Sequence, residues 1–99
     1  MAVSSAFLGK VKLALRISST SFDSQISDLI EEAILDLTTT ADIKTFTTDN
    51  ADAVQTGAVI AYVSYKWFGM DDKYFQAYND QKMKMSLSSA YRPEVVEDV

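Results

Sequence analysis

The chain has 99 residues, 47% of them hydrophobic and 11% aromatic, with a formal net charge of -5; this is the length of one domain with a real core, so two domains and a chain disordered throughout are both excluded. It contains neither cysteine nor histidine, which removes disulfides, thiolate or imidazole metal sites, imidazole general bases and every Ser or Cys triad that relies on histidine. The charge is uneven: residues 1–16 carry +3, residues 17–65 carry -7, residues 66–92 carry +2 and residues 93–99 carry -3.

The first predicted helix runs from Ser5 to Arg16, with Phe7, Leu8, Val11, Ala14 and Leu15 on one face and Lys12 and Arg16 opposite. Its apolar positions are broken by Lys10, Lys12 and Arg16, so Met1 to Arg16 reads as neither a signal peptide nor a membrane span, and a chain made in the cytoplasm is expected. The polar run Ser18-Ser19-Thr20-Ser21 stops this helix and starts the next. Thr20-x-x-Asp23 resembles a capping box, and Ser21 is a second N-cap candidate. The second helix follows as one stripe of Phe22, Ile26, Leu29, Ile30, Ala33, Ile34 and Leu37, with Asp28, Glu31 and Glu32 facing away. Residues 38–49 hold six threonines with Ile43 and Phe46 and no helical period. β-Branched side chains at that density resist helix, so a long loop is predicted, with a short extended piece near Lys44 to Thr47.

A third helix begins near Asp49, Asn50 or Asp52 and stops at Gly69. Val54, Ala58, Ala61, Tyr62, Tyr65 and Phe68 form one apolar face, and Val59, Ile60, Val63 and Trp67 form a second on roughly the opposite side. A helix apolar nearly all round is either central in its fold or shared with another chain. The four residues of the second face are therefore candidates for a subunit interface, against the alternative of a buried central helix with Trp67 capping the core. The fourth helix starts at Asp71 or Asp72 and fades near Leu87, and Pro93 prevents its continuation. Tyr74, Phe75, Tyr78 and Met85 fall within an arc of about 100°, with Lys82 lying among them on its alkyl stem. Beyond Leu87 the periodicity ends while anchoring residue types continue in Tyr91 and Arg92. Residues 86–99 thus read as a docking tail on a single helical domain spanning 1–99; Leu87 and Tyr91 folding back on their own bundle is the alternative.

The expected fold is an all-α compact bundle of about four helices, with the Thr-rich loop between the second and third and an extended tail. An acidic middle between weakly basic ends would let copies meet head to tail, although a solvated helix face also explains it. An enzyme is not expected, nor is a cofactor. Glu31-Glu32 and Asp71-Asp72 are the adjacent carboxylate pairs; helix neighbours diverge by about 100°, and the chain has neither EF-hand spacing nor a Gly-rich phosphate loop. A helix-turn-helix DNA binder is disfavoured, because the helix after the Ser18 to Ser21 turn carries Asp23, Asp28, Glu31, Glu32 and Asp36 without a base before Lys44.

The ordered set of segments resembles the small head-tail connector, or adaptor, proteins of tailed bacteriophages and prophages. The segments are Val11-Lys12-Leu13-Ala14-Leu15-Arg16-Ile17; Phe22-Asp23 leading into Ile26-x-x-Leu29-Ile30-x-x-Ala33; Ala58-Val59-Ile60-Ala61-Tyr62-Val63 ending in Phe68-Gly69; Phe75-x-x-Tyr78 with Lys82; and Leu87-Ser88-Ser89-x-Tyr91-Arg92. The resemblance covers nearly the whole chain except the threonine-rich loop. It implies a ring, of twelve copies in the virion, under the portal protein at the capsid's DNA exit. Such a ring extends the channel, lets DNA pass without specific binding and offers a platform to the next tail or stopper protein. It further implies that Leu87, Tyr91 and Arg92 anchor on the portal. A different tail-completion protein or generic helical adaptor would differ in partner but not in physics.

Overall fold

Serine and aspartate side chains start three of the four helices. In the computed structural model, which describes residues 3–88 and 91, α1 spans Ser5–Leu15, α2 Asp23–Thr39, α3 Ala53–Trp67 and α4 Asp72–Leu87. Ser4 caps α1 by accepting the Phe7 N–H at 3.2 Å. Asp52 caps α3 in a reciprocal box: its carboxylate accepts the Gln55 N–H and the Gln55 side chain accepts the Asp52 N–H, both at 2.9 Å. Asp71 caps α4 by accepting the Lys73 N–H at 3.1 Å.

The exception is α2. Its N-cap position is held by Phe22, which supplies no side-chain hydrogen bond, so neither Thr20 nor Ser21 caps as the sequence suggested. The Ser19 and Ser21 hydroxyls bond each other at 2.9 Å, and Asp23 pairs with Lys12 of α1 at 2.7 Å. That pair ties the last turn of α1 to the first turn of α2 and places a carboxylate where the helix dipole of α2 favours it. At the other end α2 runs two residues into the threonine run. The hydroxyls of Thr38, Thr39 and Thr40 donate back to the carbonyls of Ile34, Leu35 and Asp36 at 2.9, 2.6 and 2.6 Å. These are back-bonds onto carbonyls that the helical ladder also uses, as the Asp36 carbonyl accepts the Thr40 N–H at 2.9 Å, and they give each threonine hydroxyl a local partner.

Helix α3 is the centre of the packing, meeting α1, α2 and α4. Every fourth residue of α1, Phe7, Val11 and Leu15, is buried, whereas Ala14, expected on the same face, is exposed. From α2 come Ile26, Ile30, Ala33, Ile34 and Leu37, from α3 Ala58, Val59 and Val63, and from α4 Tyr78 and Met85. The segment between α2 and α3 adds Ile43 and Phe46, both almost fully buried. It has no regular structure, and there is no β-strand among the described residues, including near Lys44 to Thr47. Thr48 within it accepts the Ser4 N–H at 2.9 Å, and its Lys44 N–H donates to the Tyr91 carbonyl. The α3–α4 connection turns on Gly69 and Met70, both at positive φ (77° and 63°). Glycine takes that region without strain, and the next turn of α3 is closed by the Met70 N–H donating to the Tyr65 carbonyl at 2.6 Å.

Candidate functional site

The second face of α3 divides in two. Val59 and Val63 have no exposed surface; they are core residues of this protomer and cannot meet a partner as the sequence suggested. The physical reason is that α1 and α2 cover one side of α3 while α4 covers the other, so a helix apolar all round finds its partners inside one chain. Ile60 and Trp67 are half-buried against the same core. Trp67 also makes an edge-on contact with Phe22, ring centroids 5.3 Å apart, and together with Leu29 it floors an open groove of about 470 Å³ between α2 and α3. Gln25, Asp28, Glu32 and Lys66 complete the walls. Lys66 lies 3.6 Å from the Glu32 carboxylate and 5.8 Å from the centre of the Tyr62 ring. None of the groove's polar residues stood out in the sequence, where Asp28 and Glu32 read as a solvated face; the available signals were Leu29, in the α2 stripe, and Trp67, on the second apolar face of α3.

Beneath the groove, polar groups tie α2 to α3 and α4. The Tyr62 hydroxyl donates to Glu32 and the Tyr78 hydroxyl to Asp36. Lys82, predicted among the aromatic residues of α4, reaches the same Asp36 carboxylate at 2.9 Å, and Thr40 donates to its other oxygen at 2.9 Å. Burial acts to raise the Asp36 pKa, but the hydrogen bonds from Tyr78, Lys82 and Thr40 and the Lys82 charge outweigh it and hold the carboxyl below its usual value. Burial, followed by the carboxylate each one faces, pushes both tyrosine hydroxyls far above the usual phenol range. These groups are therefore fixed donors and acceptors at neutral pH. They pin helices, and the arrangement offers no free base or nucleophile. Among the described residues no three carboxylates converge on a position able to hold a metal ion.

The aromatic residues around the α3–α4 turn form two ring pairs. Phe68 stacks on Tyr74 at 5.4 Å, Tyr65 lies tilted on Phe75 at 5.0 Å, and Phe68, Met70 and Phe75 remain 47%, 56% and 43% exposed. Tyr74 and Phe75 thus sit at this end, while their neighbours on the predicted arc, Tyr78 and Met85, enter the core.

The tail residues separate as well. Leu87 ends α4 at 71% exposed, free to meet another molecule. Tyr91 folds back: its ring packs on the core, its N–H donates to the Ser88 carbonyl at 3.2 Å, and its hydroxyl donates to Asp52 at 2.6 Å. In this conformation Tyr91 closes the chain's own loop and is not presented as a docking residue. Arg92 and the remainder of the 86–99 segment, apart from residues 86–88 and 91, lie outside the described residues. No helix among the described residues is long and apolar enough to cross a membrane. Compared with protein-family models, curated proteins and solved structures, the chain matches none.

Proposed function

We propose that this chain is a structural protein of a tailed bacteriophage or prophage: a head-tail connector that is made in the host cytoplasm and takes its place at the head-tail junction of the virion. In this reading twelve copies form a ring that docks on the portal protein, continues the DNA channel and carries the next tail or stopper protein. The observation that carries it is the aromatic end built by Tyr65, Phe68, Met70, Tyr74 and Phe75. It gathers two aromatic pairs and the exposed side chains of Phe68, Met70 and Phe75 at one turn, the residue types that anchor protein partners. The ordered resemblance of the helical segments supplies the identity of the assembly. Charge agrees with it, since α2 carries five acids without a base, and an acidic wall lets DNA pass without holding its phosphates.

Negative-stain imaging of the purified protein, alone and mixed with its portal, tests the proposal. Closed rings are expected with portal present. A protein that stays strictly monomeric at high concentration and with portal would sink the reading. Tight, salt-resistant DNA binding in a gel-shift assay would instead favour a DNA-binding role.

A further inference from the structure

The outer face of α1 and the α2–α3 groove are opposite in charge, and each carries exposed apolar surface. Leu13 is 79% exposed, the most exposed large apolar side chain among the described residues, because α1 turns Phe7, Val11 and Leu15 inward on the opposite side. Lys10 and Arg16 lie three residues to either side of it; both are exposed, and neither makes an ion pair among the described residues. The groove presents the converse: an apolar floor of Leu29 and Trp67, with Asp28 and Glu32 in its walls against the single base Lys66, which is already beside Glu32.

We propose that a second copy of this chain docks there, seating Leu13 of its α1 on Leu29 and Trp67 while its Lys10 and Arg16 face Asp28 and Glu32. Charge selects this occupant over the chain's own terminal segment. Residues 92–99 hold Arg92 against Glu94, Glu97 and Asp98, so that segment would bring negative charge to a negative groove. The knob and the groove are different surfaces of one protomer, so the contact is heterologous and runs head to tail, the type that closes into a ring when its rotation permits. The inference deepens the connector reading by naming the two surfaces through which copies meet.

The absence of cysteine from the sequence provides a clean test. Single variants Leu13→Cys, Asp28→Cys and Gln25→Cys are made in the full chain, with exposed Gln76→Cys on α4 as the control, and each is checked for unchanged circular dichroism. Variants are mixed in pairs at high concentration, oxidised and separated without reductant. Leu13→Cys with Asp28→Cys or Gln25→Cys should give mixed disulfide in roughly tenfold excess over the Leu13→Cys and Gln76→Cys pair, the ratio that about 1.4 kcal/mol of preferred contact would produce. Mixed disulfide no more abundant than in that control pair, homodisulfides alone, or no disulfide at all would overturn the proposal. The outcome separates from that of the parent reading. Rings on portal without the preferred disulfide would remove these surfaces and leave the connector standing, whereas the preferred disulfide in a chain that never engages portal would keep the surfaces and remove the connector.

Discussion

Replacing Val63 by alanine distinguishes a core helix from an interface helix. The Val63 side chain is fully buried between helices of one protomer, and the substitution deletes two carbon atoms. Lost transfer free energy is about 1.6 kcal/mol at about 0.8 kcal/mol per methylene. Incomplete collapse of the vacated space adds to it, for a total of roughly 2 to 2.5 kcal/mol. In a domain of this size such a loss lowers Tm by on the order of 8 to 20 °C. Urea denaturation of the dilute, monomeric protein is the assay, and the midpoint should fall with an unchanged slope. The companion Leu13→Ala, at a position 79% exposed, should change stability by no more than about 0.5 kcal/mol. A Val63→Ala loss below about 0.5 kcal/mol, or one that appears only as protein concentration rises, would refute the reasoning and restore Val63 to an interface between copies.

Two further outcomes follow from the polar contacts. The Asp36 carboxyl is held below its unfolded pKa by Tyr78, Lys82 and Thr40 despite its partial burial. Its contribution is therefore present above the unfolded carboxylate range and lost as pH falls through the folded value; Asp36→Asn should flatten the acid limb of the stability–pH profile below about pH 4 and cost on the order of 1 kcal/mol at neutral pH. An acid limb unchanged in the variant would show that other carboxylates carry it. Tyr91→Phe removes the hydroxyl bond to Asp52, an exposed charge-assisted contact worth about 0.5 to 1 kcal/mol, and truncation after Met85 should leave the helical circular dichroism in place while weakening attachment to portal. Collapse of the helical signal on truncation would make the tail an essential part of the core.

Local signals were legible in the sequence wherever a single helix decided the outcome. The stripe from Ile26 to Leu37 enters the core almost intact, because its period alone dictates one buried face. Asp52 and Asp71 cap their helices because a short acceptor side chain at those positions needs nothing from elsewhere in the chain. What escaped reading depends on partners remote in sequence. Phe22 takes the N-cap position, so Asp23 is the first helical residue and not the third residue of a box capped by Thr20, and its carboxylate pairs with Lys12 of α1. Ile43 and Phe46 have no period, and only the bundle beneath them decides that they are buried. Val59 and Val63 lie in a helix apolar on all sides, a pattern equally suited to a central helix and to a shared one. In the candidate groove, Trp67 was visible as an exceptional residue, but its juxtaposition with Asp28 and Glu32 depends on how α3 crosses α2.

The segment between α2 and α3 bonds to both Ser4 and Tyr91, residues that lie more than forty positions away along the chain on either side. This has a kinetic meaning. Neighbouring helices α3 and α4 can pair through a short connection, whereas the loop gains its bonds only once two remote segments have arrived, and ring closures of that span carry the larger entropic cost. The order expected on folding is helices first and buckle last. Substitutions at Thr48 or Lys44 should act mainly by hastening unfolding and leave the rate of collapse nearly untouched.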